Sequence, residues 1–153
     1  MRRLLLVLAA LLLLAPTAQA GPNPVIHVKR AGSPSLELST TADGVVTLRP
    51  GAGGTDQRWR MYFVGSDRVV LVSLSASGCL TAVAPRDVRL LDPCSGEPDQ
   101  VWARHALPDE SFALENTGHA GQCLSARPFT RVELAACDNG RDRLWTAVIE
   151  PNP

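Results

Sequence analysis

Three tetrapeptides decide how this chain reads: Asp56-Gln57-Arg58-Trp59, Asp99-Gln100-Val101-Trp102 and Asp142-Arg143-Leu144-Trp145. They contain all three tryptophans of the sequence, spaced at intervals of 43 residues. A fixed period of this size marks a repeated architecture, in which each copy supplies one supersecondary unit and the copies bury a core together. The match continues upstream. Gly78-Cys79-Leu80-Thr81-Ala82 answers Gln122-Cys123-Leu124-Ser125-Ala126, and Cys94 and Cys137 each stand eight residues before a tryptophan. The copies run roughly over residues 21–60, 61–104 and 105–149. In the first, counting by the period puts Leu36 and Gly51 where the cysteines would fall, with Leu38 opposite Thr81. Both cysteines are missing together, as expected of positions that touch. The repeat therefore predicts disulfides Cys79 to Cys94 and Cys123 to Cys137. Each closes a loop of about 15 residues, worth roughly 3 kcal/mol in the chain-entropy account, so the first copy must hold together by packing.

Within a copy the elements read as short strands. Val25-Ile26-His27-Val28, Val69-Val70-Leu71-Val72 and Phe112-Ala113-Leu114 head the three copies with period-two or β-branched character. Gly44 to Leu48, Asp87 to Leu91 and Thr130 to Leu134 form a second set, with Val45, Val88 and Val132 placed in register. Turn-forming segments such as Ala31-Gly32-Ser33-Pro34 and Ala76-Ser77-Gly78 separate them. No amphipathic helix is expected after residue 20, because Pro and Gly recur too often. Many short strands in three copies predict an all-β domain closed about a pseudo-threefold axis, with Trp59, Trp102 and Trp145 converging in one core.

The chain opens with Met1-Arg2-Arg3 and an apolar run from Leu4 to Leu14, too short to cross a bilayer, followed by small residues at Ala18 and Ala20. This is the pattern of a signal peptide over residues 1–20, cleaved before Gly21. The expectation is a secreted or periplasmic protein that does not insert into a membrane. Removing Arg2 and Arg3 from the 15 basic residues leaves 13 against 15 acidic, which provides no pull toward nucleic acid. Four cysteines in an exported chain point to disulfides; their spacing lacks the close pairs of a zinc site, so neither metal nor cofactor is expected.

Gly, Cys-Leu, a second Cys and Gln-x-Trp, in three copies of about 43 residues, resemble the ricin B-type lectin family. Gln57-Arg58-Trp59 and Gln100-Val101-Trp102 match its Gln-x-Trp signature, and Arg143-Leu144-Trp145 is a degenerate third. The resemblance spans residues 21–153 and implies a β-trefoil: twelve short strands in three lobes, with up to three shallow sugar sites. Gln57 and Gln100 then belong, with the tryptophans, to the structural core.

The resemblance also implies where a ligand would sit. Members usually carry an Asp directly after Cys-Leu; here Thr81 and Ser125 stand there, and their neutral hydroxyls bond without charge assistance. The stacking aromatic two residues before the second cysteine is replaced by Arg49, Asp92 and Ala135. The Asn before Gln-x-Trp is Asp56, Asp99 and Asp142, which accept hydrogen bonds from sugar hydroxyls or cap a turn. The third lobe, with Ser125, Glu133, Asn139 and Asp142, comes closest to a full ligand set. The expected ligand is a glycan or glycoprotein. The alternative is a protein partner, with the chain serving as a receptor-binding, toxin-delivery or inhibitor subunit whose sugar sites have decayed. Catalysis is not expected: His27, His105 and His119 lie outside any nucleophile or paired-carboxylate motif.

Overall fold

The computed structural model describes residues 23–83, 86–127, 130–138 and 140–151. The predicted leader, residues 1–20, and Asn139 lie outside them. Twelve strands follow in order: β1 Val25–Arg30, β2 Ser33–Thr40, β3 Val46–Pro50, β4 Trp59–Phe63, β5 Arg68–Ser73, β6 Cys79–Val83, β7 Asp87–Leu91, β8 Trp102–Ala106, β9 Phe112–Asn116, β10 Gln122–Ala126, β11 Val132–Ala136 and β12 Trp145–Ile149. Every ladder is antiparallel. β1, β4, β5, β8, β9 and β12 pair in a ring that returns to β1, so the barrel has no open edge. The remaining strands form three hairpins, β2 with β3, β6 with β7 and β10 with β11. Each lobe is thus four strands, two in the barrel and two in a hairpin that caps it: a β-trefoil.

Alternation along the strands explains the core. Ile26 and Val28 turn inward between half-buried His27 and Lys29, and Val46 and Leu48 do the same in β3. Trp59, Trp102 and Trp145 open β4, β8 and β12 and are completely buried in one cluster. Burying an indole leaves a donor to satisfy. Each N–H donates to a carbonyl of its own lobe's hairpin: Trp59 to Leu38 at 2.9 Å, Trp102 to Leu80 at 2.9 Å and Trp145 to Leu124 at 3.0 Å.

These bonds correct the alignment of the first copy. Leu38, Leu80 and Leu124 are equivalent, and they pair in turn with Leu48, Leu90 and Leu134. The first-lobe equivalent of Cys79 and Cys123 is therefore Glu37, not Leu36, and the counterpart of Thr81 and Ser125 is Ser39, not Leu38. The same slip moves the inward valine from Val45, which is exposed, to Val46, buried with Val88 and Val132. The cause is one extra residue in the second lobe: Cys79 and Cys94 are separated by 15 positions, Cys123 and Cys137 by 14. It lies between β7 and Cys94, so a constant period misplaces everything upstream by one, and in a strand one step reverses the face.

Both disulfides form as the repeat predicts, Cys79 with Cys94 and Cys123 with Cys137.

Candidate ligand site

A single 3-10 turn precedes each tryptophan strand, Thr55–Gln57, Pro98–Gln100 and Arg141–Arg143. In the first two, the signature glutamine is buried and works as a clamp. Gln57 Nε2 donates to the Pro50 carbonyl at 2.9 Å and to Ser39 Oγ at 3.1 Å, while its Oε1 accepts from the Ala52 amide at 2.8 Å. Gln100 Nε2 donates to the Pro93 carbonyl at 3.0 Å, and its Oε1 accepts from the amides of Ser95 and Gly96 at 2.8 and 3.1 Å. A glutamine amide has a donor end and an acceptor end, so one side chain can pin both strands of a loop. In the third lobe Arg143 has only donors; its Nη1 turns to Asp138 and Asp142 at 2.6 and 3.0 Å.

The predicted third-lobe residues engage one another. Ser125 is fully buried and donates to Asp142 Oδ2 at 3.1 Å. Glu133, also buried, accepts from Arg127 Nε at 2.5 Å. In the second lobe Thr81 is 1% exposed and donates inward to the Cys79 carbonyl at 2.9 Å, away from solvent. The structure therefore brings Ser125 and Asp142 together, and each oxygen of the Asp142 carboxylate already accepts one bond within the protein, from Ser125 and from Arg143.

Asp92 and Asp99 are placed differently. Both line an open depression of about 510 Å³ in the second lobe, with Glu97, Gly118 and His119 around its rim. Among the described residues, no side-chain hydrogen bond or ion pair occupies either Asp carboxylate; Asp99 is tied down through its backbone carbonyl, which accepts from Asn116 Nδ2 at 2.8 Å. Three constraints hold the walls. Gln100 grips the 93–96 loop, the disulfide anchors Cys94, and Gly118 donates its amide to the Pro98 carbonyl at 2.9 Å. A methyl group at Gly118 would stand 2.9 Å from the Asp99 nitrogen, so this approach of two backbones requires glycine. The extra second-lobe residue falls just before Cys94, at the same loop. Sequence reasoning had no signal for the part played by Gly118 and His119, which come from the next lobe.

A second charged cluster is closed. His27 Nδ1 and Nε2 each lie 2.9 Å from a carboxylate, those of Glu37 and Glu150. Arg58 grips Glu150 with two bonds of 2.7 and 2.6 Å, and Lys29 approaches Glu37 at 3.3 Å. Arg58 holds the Glu150 carboxyl below the usual carboxylate range, with His27 acting in the same direction. The cluster ties β1, β2 and the end of β12 together.

No protein-family model and no curated protein matches the chain in sequence. Solved structures do match in shape. ThreeFoil, a designed threefold-symmetric protein, has TM-score 0.71 at 20% identity over 81% of this chain and 97% of its own. A Polyporus squamosus lectin, bound to a human-type influenza-binding epitope, has TM-score 0.69 at 14% identity over 82% of this chain. A mosquitocidal holotoxin has TM-score 0.71 at 13% identity over 82% of this chain. The matched region spans 49% of the lectin's length and 17% of the holotoxin's. At such identities the likeness is one of fold, and the fold it shows is the β-trefoil.

Proposed function

We propose that the protein is an exported, carbohydrate-binding module of the ricin B-type lectin kind, and that its sugar site is the second-lobe depression. The observation that carries this is the pair Asp92 and Asp99: two carboxylates without side-chain partners among the described residues, on the wall of an open pocket braced by Gln100 and a disulfide. An ionised carboxylate accepts from two neighbouring hydroxyls at once, the donor pattern a pyranose offers, and such charge-assisted bonds are about twice as strong as neutral ones. A volume of about 510 Å³ suits one or two sugar rings. His119 and the proline at position 93 supply flat, partly apolar surface where the family's stacking aromatic is absent. Two disulfides accord with an oxidising compartment outside the cytosol. The reading is of a binder rather than a catalyst, and one active lobe instead of three.

The test is a glycan array probed with residues 21–153, followed by calorimetry on each hit with Asp99→Asn and Asp142→Asn. The second-lobe site predicts that Asp99→Asn weakens binding by about 1.5 to 3 kcal/mol, the worth of a charged hydrogen bond, while Asp142→Asn leaves it unchanged. Hits that respond to Asp142→Asn alone would move the site to the third lobe, and a folded protein with no hits would overturn the reading.

A further inference from the structure

Beside the sugar pocket lies a second depression of about 450 Å³ with a different lining: Tyr62, Val64, Val70 and Val72 on one side, the Cys94 to Gly96 loop on the other. Ser95 belongs to both walls, so the two depressions are neighbours across a single loop. The apolar side is built by register. Tyr62 and Val70 face each other across β4 and β5, and Val64 follows at the strand end, half exposed. Val70 and Val72 pack against Cys79, so the floor rests on the same disulfide that anchors the shared loop. Ser95 turns its hydroxyl to Gln100 Oε1 at 3.2 Å, which leaves no strong polar claim at the crossing.

We propose that these two depressions form one composite site for a glycoside with an apolar aglycone: the sugar lies against Asp92 and Asp99, and a short alkyl or aryl chain passes over Ser95 into the Tyr62 and Val64 trough. This rests on the sugar reading given above. Chemistry and size select the occupant. One wall of the trough is formed by Tyr62, Val64, Val70 and Val72, a mainly apolar strip that a single tail covers. A stable protein contact needs about 800 Å² on each partner and a broad apolar centre, more than a recess of about 450 Å³ lined by Tyr62, three valines and one loop provides. A glycoside joins a polar and an apolar part through one oxygen, matching two recesses divided by one residue. Burial of each methylene contributes about 0.8 kcal/mol, so even partial insertion of a chain separates such a ligand from the bare sugar.

The experiment titrates the oxidised protein with methyl and octyl pyranosides of glucose, galactose, mannose and N-acetylglucosamine, and with octanol, all below micelle-forming concentrations. The wild type is compared with Val64→Asp, Tyr62→Gln and Asp99→Asn. The composite site predicts that, for at least one sugar, the octyl glycoside binds about tenfold or more tightly than the methyl glycoside. Val64→Asp and Tyr62→Gln should erase that ratio without changing methyl glycoside affinity, and Asp99→Asn should weaken both ligands. Val64 lies outside the core, so its variant reports on binding even if Tyr62→Gln folds poorly. Methyl and octyl glycosides that bind within about twofold of each other, or a ratio that survives Val64→Asp, would overturn the composite site and leave the sugar reading intact. Octyl glycoside and octanol binding alike, both indifferent to Asp99→Asn, would overturn the sugar reading and the composite site with it.

Discussion

Glu37 lies over Gly51 where the other two lobes place a disulfide. By strand register Glu37 is the counterpart of Cys79 and Cys123, and a methyl group at Gly51 would fall 2.5 Å from Glu37 Oε1. The first lobe has exchanged a covalent link for a carboxylate that fills the vacated space and binds His27 and Lys29. Glycine at position 51 is what makes room for it.

The exchange should be reversible by design. Gly51 donates its amide to the Ser35 carbonyl at 2.9 Å, as Cys137 does to Gly121 at 2.8 Å, so the backbone at this point repeats that of a disulfide-bearing lobe. Glu37→Cys with Gly51→Cys is expected to form a third disulfide spontaneously. Closing a 14-residue loop is worth about 3 kcal/mol, offset by the buried ion pairs lost with Glu37, so the oxidised variant should melt well above its own reduced form. Thiol titration and melting with and without reductant check it; free thiols after oxidative refolding would refute the equivalence.

The two signature glutamines should separate stability from binding. Gln57→Ala and Gln100→Ala each leave buried loop groups without partners, at a cost of about 2 kcal/mol to stability. Gln100→Ala should also weaken sugar binding about tenfold or more, because the loop it grips forms the pocket wall, whereas Gln57→Ala should not. Urea unfolding and calorimetry on both proteins give the comparison. Equal binding by the two variants would mean that the 93–96 loop holds its shape without the clamp.

The disulfides should divide in the same way. Replacing Cys79 and Cys94 by alanine removes about 3 kcal/mol and abolishes ligand binding, since Cys94 anchors the pocket loop. Replacing Cys123 and Cys137 costs stability alone. Binding assays at 10 °C, where both variants remain folded, separate the two effects; parallel losses would count against a second-lobe site.

Acid should loosen the junction of β1 and β12. The Glu150 carboxyl is held below its ordinary range by hydrogen bonding to Arg58, with a smaller push from His27. A depressed carboxylate contributes stability above the unfolded-state pKa and loses it as pH falls through the lower folded-state value. Wild-type stability should therefore drop below about pH 4, and Glu150→Gln, already lacking the contribution at neutral pH, should show a shallower acid decline. Urea midpoints between pH 7 and pH 2.5 measure this, and identical slopes would place the acid sensitivity elsewhere.

Gly118→Ala tests the pocket by its rim. The added methyl meets the backbone of Pro98 and Asp99, which cannot yield as a flexible side chain would. The expected result is a loss of about 1 to 3 kcal/mol in stability and weakened binding. Wild-type affinity would show that the rim contributes nothing to the site.

Spacing alone pointed to an all-β domain closed about a pseudo-threefold axis, and the family resemblance named it a β-trefoil. Three tryptophans at a fixed period, two matched cysteine pairs and short β-branched runs can be satisfied together by a closed threefold β structure with one shared core, and local propensity agrees with that pattern throughout. The tryptophans and glutamines were legible because burial and clamping recur in successive lobes, and recurrence is visible in a string of letters. The extra residue before Cys94 was hidden inside an otherwise constant period, so the face of Leu38 and Val45 became clear only when backbone pairing established register. The candidate pocket belongs to tertiary structure for a related reason. Ser125 and Asp142, far apart in sequence, are hydrogen-bonded to each other in space, whereas Asp92 and Asp99 share an open pocket with a neighbouring lobe's Gly118 and His119. A polar side chain's availability depends on which distant partner reaches it first, and only the folded chain decides that.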